Sequence, residues 1–310
     1  MQYFLIVLST LFVAGQFTFN KMYQKYVVKS TAALLLFPVL TGIIAVALFL
    51  SLNGFSLAFG AFSFGIAVGE AIVLTLCMLC GIFVVKFGRV SVYTVFMMLG
   101  GMLLPFIYGL IFLGEPLSVF KIIGILVLVA GLILSALPDK NSAGEKPKPV
   151  FYLLCFAVFC LNGGVSILSK VHQINADAIG TMDFMVWLYL MQLAISALCF
   201  GVYMLFFRKK NAFPASENLS EKEERRRAFQ KSALWAFLIS LGYMLFSGFG
   251  YLLQLNAAKE IEASLLYPIV TGGSILFSTL AAWAVFKEKI NLPLWISLAL
   301  TFIGTVLFMF

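Results

Sequence analysis

The chain has 310 residues, 62% of them hydrophobic and 11% charged, with a formal net charge of +8 and a mean hydropathy of +1.05. That balance excludes an ordinary soluble domain. The basic residues sit in short loops beside apolar runs, so membrane topology accounts for them better than nucleic-acid binding does.

Apolar runs long enough to cross a bilayer, about 20 residues each, fall at 3–20, 31–51, 61–86, 90–113, 118–137, 150–170, 182–207, 232–258, 262–286 and 292–310. They are continuous rather than short and alternating, which excludes a lipid-embedded barrel and predicts an all-α polytopic protein with ten transmembrane helices. The first run begins at Tyr3 with neither a basic leader nor a small-residue cleavage site, so it is expected to be retained. It carries Gln16 and Asn20 and is closed by Lys21.

The third run holds a G-x-x-x-G at Gly65 and Gly69, which reads as a packing face, and next to it Glu70. Glu70 lies about nine residues into the helix, roughly 13 Å along the axis, too deep for a short side chain to reach the interface. Cys77 and Cys80 form a C-x-x-C; with Cys155, Cys160 and Cys199 also inside predicted helices, the cysteines read as small buried hydrophobes, not as a disulfide framework. The fourth run contains Tyr93, the Gly100-Gly101 pair and Pro105, and ends in "FLGEPL", which places Glu115 in a turn before the fifth.

After a linker at 138–149, the sixth run carries Asn162 and Ser166 and is closed by Lys170, with the single histidine, His172, just beyond it. A lone histidine assembles no typical zinc site, and no metal or cofactor is expected. The only sizeable hydrophilic segment is the loop at 208–231, where Ser220 and Glu223 have the spacing of a capping box and predict a short helix at the membrane face. The eighth run contains Tyr243, Gln254 and Asn256; the ninth contains Tyr267-Pro268 and "TGGS" from Thr271 to Ser274, whose glycines, like Gly100-Gly101, bring backbones close or leave room for a ligand, close packing being the more frequent reason. The stretch "VFKEKI" then places Glu288 before the tenth. Lys86, Lys170 and Lys259 each end a run and are expected to snorkel.

Loops after odd-numbered runs hold 18 of the 21 basic residues, and only Lys121, Lys170 and Lys259 lie on the other side. This bias predicts that the odd loops, 208–231 included, are cytoplasmic and that both termini are outside.

The chain also resembles itself. A shift of 173 residues aligns Gly69 with Gly242, Lys86 with Lys259, Ser91 with Ser264, Gly100 with Gly273, Glu115 with Glu288 and Gly131 with Gly304. A shift of 149 aligns Tyr3 with Tyr152, Gly15 with Gly164, Lys21 with Lys170 and Gln24 with Gln173. The division is therefore 1–137 for the first five-helix repeat and 150–310 for the second. Five helices is an odd number, so the second repeat enters the membrane inverted, an architecture of many secondary transporters. Glu115 and Glu288 become one position seen twice, a carboxylate at the turn before the last helix of each half, where the positive end of the helix dipole favours it and a structural role is expected.

Ten helices in a five-plus-five repeat, a glycine then a lysine closing helices 1 and 6, and a "GEP"-like turn before helices 5 and 10 together resemble the EamA-like branch of the drug/metabolite transporter superfamily. The resemblance covers essentially the whole chain. It implies a central cavity lined by helices 1, 3, 4, 6, 8 and 9, with the fifth helix of each half at the periphery. Tyr267-Pro268 is similar to the proline often found in helix 9 of that family, whereas the matching place in helix 4 is Val95. Members usually have both termini in the cytoplasm, the reverse of what the charges predict here, and the charges are followed.

Buried polar groups are the remaining signal. The candidates for a substrate or coupling cavity are Glu70, Gln16, Asn20, Tyr93, Asn162, Tyr243, Gln254, Tyr267 and Thr271. Glu70 reads as a proton site or as the anionic partner of a cationic solute; its repeat-equivalent is Tyr243. The expected function is secondary transport of a small organic solute across the cell membrane by alternating access, with protons, membrane lipid and a second copy in a homodimer as compatible partners. No G-x-x-x-x-G-K-S/T loop is present for an ATP-driven pump, and no H-E-x-x-H or G-x-S-x-G for an intramembrane enzyme. The alternative is a non-transporting membrane scaffold or receptor with 208–231 as its output.

Overall fold

The computed structural model describes residues 2–28, 30–84, 87, 90–135, 149–207, 219–287, 292–308 and 310. Among them every regular element is helical: α1 (Gln2–Tyr26), α2 (Thr31–Leu52), α3 (Ala61–Val84), α4 (Val90–Phe112), α5 (Val119–Ser135), α6 (Pro149–Ile174), α7 (Thr181–Val202), α8 (Leu219–Ala258), α9 (Ala263–Phe286) and α10 (Leu292–Leu307). A π-helical turn, Tyr203–Phe207, continues α7.

Eight of these, all but α5 and α10, are long and apolar enough to cross a membrane, the mark of a multi-pass membrane protein. In such a medium a helix is forced on the chain, because every backbone N–H and C=O must find its partner within the protein. α5 and α10 are shorter, at 17 and 16 residues, and pack against each other.

Three boundaries differ from the sequence reading. α1 runs on to Tyr26 and α6 to Ile174, so Lys21, Lys170 and His172 lie within helices, not at or beyond their ends. The segment from Leu219 is no separate short helix; it is continuous with α8, which is 40 residues long. Of the linker, only Pro149 is described, and it opens α6.

The two halves of the chain interleave. α1 packs on α8 and α9, α6 on α3 and α4, α2 on α7 and α8, α3 on α7, α4 on α9, and α5 on α10. Glycines set the closest approaches, as expected where no hydrophobic force drives helices together in lipid. A Cβ built on Gly15 would lie 2.1 Å from the Phe246 ring, and one on Gly242 2.3 Å from Phe19, so α1 and α8 cross with each glycine seated against the other helix's phenylalanine. At the α4–α6 crossing a Cβ on Gly100 would lie 2.0 Å from the Phe159 carbonyl oxygen. Gly273 meets Thr10 at 2.8 Å. The packing reading of Gly100 and Gly273 holds, but that of Gly65 does not: nothing lies within 4 Å of a Cβ built there.

One end of the bundle gathers the turns at 53–60, 113–118, 175–180 and 259–262. Asp183, in the first turn of α7, accepts hydrogen bonds from the Asn53 side chain at 2.8 Å and the Ala58 N–H at 2.9 Å. Ile6 near the start of α1 and Phe308 just past α10 join Phe106, Leu265 and Leu266 in one apolar cluster.

Candidate functional site

Glu70 is fully buried on α3. Its Oε1 accepts a hydrogen bond from the Tyr251 hydroxyl of α8, while its Oε2 is buried with no hydrogen-bond partner. The Tyr251 oxygen is also 2.6 Å from the Ser169 Oγ of α6; with Tyr251 donating to Glu70, the one Ser169 hydroxyl hydrogen goes either to Tyr251 or to the Val165 carbonyl 2.8 Å away. A carboxyl group is thus enclosed at the junction of three helices, supported by two hydroxyls on one side and unpartnered on the other. Such a group is costly to place in a membrane span. The rings of Tyr189 and Tyr267 belong to the same surroundings, each within electrostatic reach of Glu70.

Most of the other candidates are tied between helices. Gln16 of α1 donates to the Tyr243 hydroxyl of α8 at 3.2 Å, and Tyr243 stands edge-on to Phe37 with ring centroids 4.8 Å apart. Asn162 donates to the Met97 carbonyl at 2.7 Å, joining α6 to α4, and Tyr267 of α9 donates to the Ser166 carbonyl at 2.6 Å. Asn20 accepts from Gln24 at 3.3 Å within α1. Thr271 offers its carbonyl to Ser274 at 2.9 Å, and Gln254 is half-buried on α8. Tyr93 stands apart. It donates to the Cys77 carbonyl at 3.0 Å in a cluster with Val84, Phe151, Cys155 and Val158.

Sequence reasoning missed Tyr251 and Ser169. The signal for Tyr251 was its spacing, since Tyr243, Ser247, Tyr251 and Gln254 recur at three or four residues and so share one face of α8. Ser169 was hidden because a serine in a helix is more often satisfied by its own backbone, which this one also has within reach.

Three readings at the gathered end are corrected. Glu115 does not serve the helix it precedes; its carboxylate accepts from the backbone N–H groups of Ala263 at 2.6 Å and Ser264 at 2.7 Å, capping α9 in the other half of the chain. Gly114, at φ +66°, makes the turn that brings it there. Lys170 does not snorkel. It is buried, and its ammonium donates at 2.7 Å to the Ala258 carbonyl, at the end of α8 where carbonyls lack helical partners, and at 2.7 Å to the Ile261 carbonyl in the turn that follows. His172 is fully buried, with Nε2 2.9 Å from the Ser63 Oγ, Nδ1 2.9 Å from the Gln173 amide and its ring stacked on Phe184 at 3.7 Å. Lys259 is exposed, as snorkelling requires. Glu288 and Lys86 lie outside the described residues.

Two grooves open on the flank of the bundle. One of about 530 Å³ lies between α1, α9 and α10 and is lined by Val7, Leu276, Phe277, Trp295 and Phe302 among others. A second of about 440 Å³ lies among α4, α5, α9 and α10, with Thr94, Ser135, Thr279 and Ser297 in its wall. Neither is lined by Glu70 or by any other candidate residue, and neither is the central cavity that the family resemblance implies. Among the described residues no group of three or more His, Cys, Asp or Glu is placed to hold a metal ion.

The sequence matches no family model and none of the curated proteins. A solved structure described only as "Crystal structure of protein" superposes with a TM-score of 0.70 at 16% identity, covering 98% of this chain and 94% of that one. At that identity the likeness shows a shared fold over nearly the full length of both chains.

Proposed function

We propose that the protein is a secondary transporter of a small organic solute, working by alternating access across the cell membrane and coupled to protons at Glu70. The observation that carries this reading is the fully buried Glu70 carboxyl, held on one oxygen by Tyr251 and unpartnered on the other. A structural carboxylate in a membrane helix is normally paired; one left with an unpartnered oxygen is suited to take up and give back a proton or a cationic group.

We assign the architecture to two inverted five-helix repeats, as in the EamA-like branch of the drug/metabolite transporter superfamily. The packing supports this, because contacts between the halves map in pairs onto one another through the same two shifts that align the sequence. Gly15 against Phe246 corresponds to Gly164 against Val73, and Gly242 against Phe19 to Gly69 against Leu168. Gly100 against Phe159 corresponds to Gly273 against Thr10, and Gly304 against Leu128 to Gly131 against Thr301. The equivalents are unequal in tightness. The α1–α8 crossing is filled by phenylalanine rings, whereas a Cβ on Gly164 or Gly69 would find its nearest neighbour only at 4.0 or 3.9 Å. Two halves of like construction but unequal closure are what a rocking mechanism needs at any one stage of its cycle. With the basic loops cytoplasmic, the gathered end that carries Glu115, Lys170 and His172 faces outside.

The test is a pH-jump assay in proteoliposomes with a lumenal pH dye, using pooled small metabolites on the intact protein and on Glu70→Gln. Solute-dependent proton flux that disappears in a folded Glu70→Gln variant is expected. Intact protein that moves protons with no pool, and takes up no labelled solute, would leave the scaffold reading in its place.

A further inference from the structure

The geometry points to a latch at the gathered end of the bundle: Lys170 holds the α8–α9 turn shut, and Ser169 beside it transmits the state of the Glu70 carboxyl to that latch. The inference rests on the transport reading for its purpose but not for its test.

Besides its own backbone bonds, such as Ile261 N–H to the Ala257 carbonyl at 2.9 Å, the α8–α9 turn is held by charged side chains from outside it. Lys170 binds the Ala258 and Ile261 carbonyls. Glu115 binds the Ala263 and Ser264 N–H groups. Lys121, itself buried, pairs with Glu262 and donates to the Ser264 Oγ at 3.1 Å and to the Pro116 carbonyl at 2.8 Å. The turn at 259–262 is therefore clamped by α6 on one side and by the 113–118 turn and the start of α5 on the other. Charge-assisted contacts of this kind are about twice as strong as neutral ones, and the clamping groups are mostly shielded from water.

The latch and the carboxyl share their supports. Ser169 and Lys170 are consecutive on α6, so one helix turn touches both Tyr251, which holds Glu70, and Ala258, less than two turns further along α8. Moving Tyr251 away from Ser169 shifts α8 against α6 at the place where Lys170 grips it. Tyr189, Tyr251 and Tyr267 lie within electrostatic range of Glu70, and Glu115 and Glu262 within that of Lys170, with Lys121 bonded to Glu262 and Ser264 at the same turn. A change at the carboxyl thus reaches the turn through hydrogen-bonded neighbours on two rigid helices, the kind of contiguous connection that coupling between sites needs.

Hydrogen exchange on the intact protein in lipid nanodiscs tests this without any solute. Lys170→Met is expected to speed exchange of the 259–266 amides at least tenfold while leaving those of 184–195 in α7 unchanged. Glu262→Gln, a milder change at a half-exposed side chain, is expected to speed the same amides about threefold. Glu70→Gln and Tyr251→Phe should each shift the exchange of 259–266, and neither should add its full effect to that of Lys170→Met. Exchange at 259–266 that is unaltered in both Lys170→Met and Glu262→Gln overturns the latch. An unaltered turn in Glu70→Gln and Tyr251→Phe overturns the coupling. If Lys170→Met accelerates exchange throughout the chain, Glu262→Gln decides. A latch seen here together with no flux in any solute assay would refute the transport reading and leave the latch standing.

Discussion

The carboxylate of Glu115 accepts the backbone N–H of Ser264 at 2.7 Å, across 149 positions of sequence and from the opposite half of the chain. Together with its bond to Ala263, this makes one side chain the N-cap of a helix it does not belong to. Hydrogen bonds to a charged group in a part-buried setting are worth about 1.5–3 kcal/mol. Glu115→Ala is expected to lower the unfolding free energy by about 2–3 kcal/mol, since both N–H groups lose their acceptor. Glu115→Gln keeps one acceptor and should cost about half of that. Denaturant titration in detergent, followed by tryptophan fluorescence, checks both.

The helix crossings make a second, graded expectation. Adding a methyl at Gly100 sets it against the Phe159 backbone at 2.0 Å, where neither helix can yield, and the expected loss is about 3 kcal/mol, the upper end for overpacking. At Gly15 the obstacle is the Phe246 ring, which can turn at some cost, so Gly15→Ala should lose about 1–2 kcal/mol. At its repeat-equivalent, Gly164, the nearest atom is an ordinary 4.0 Å away, and Gly164→Ala should be neutral to within about 0.5 kcal/mol. Thermal melts of the three variants would show that order; equal losses at Gly15 and Gly164 would contradict the unequal closure of the two crossings.

Much of this was legible in the sequence because lipid leaves the chain few choices. Continuous apolar runs have to become helices, and the positions of α2, α4 and α9 follow from them to within a residue or two. The small-residue signals at Gly100 and Gly273 also told true, since a Cβ at either would fall 2.0 Å or 2.8 Å from the neighbouring helix. Glu70 stood out by the same reasoning, as an acid with no route to water. What the sequence could not supply is which partner a polar group finds. Glu115 looked like a cap for α5 because that helix is next in the chain, yet α9 is nearer in space. Lys170 looked like a snorkelling residue because it closed an apolar run, and the folded chain instead brings the end of α8 to it. Tyr251 and Ser169 are ordinary residues in a helix until the interleaving of the halves sets them beside Glu70.

Lys121 and Lys170 offer a contrast in what an ion is worth. Glu262, the partner of Lys121, has a side chain 38% exposed, and Glu262→Gln should cost no more than about 1 kcal/mol, as exposed pairs do. Lys170 has no such release. Its ammonium is the hydrogen-bond partner of the Ala258 carbonyl at the end of α8 and of the Ile261 carbonyl in the following turn, so Lys170→Met should cost about 3 kcal/mol or more by leaving them unsatisfied in a buried setting. Raising salt from low to high concentration should lower the melting temperature contribution of Glu262 and leave that of Lys170 unmoved, because buried pairs are screened far less.

The central carboxyl separates function from stability most sharply. Glu70→Gln keeps an acceptor for the Tyr251 hydroxyl and removes the group able to exchange a proton, so the variant should remain folded, within about 1 kcal/mol of the parent, while solute-driven proton flux is lost. Tyr251→Phe makes the complementary change. It leaves the acid in place but takes away the hydroxyl that Glu70 and Ser169 share, at an expected cost of about 1–3 kcal/mol and with flux reduced but present. The discriminating measurement is the pH profile of solute uptake in the two variants. A coupling role for Glu70 requires the profile to flatten in Glu70→Gln and to move along the pH axis in Tyr251→Phe. Uptake by Glu70→Gln with the parent's pH profile would show that the proton is carried elsewhere, and the buried acid would then be a structural feature of the α3–α6–α8 junction.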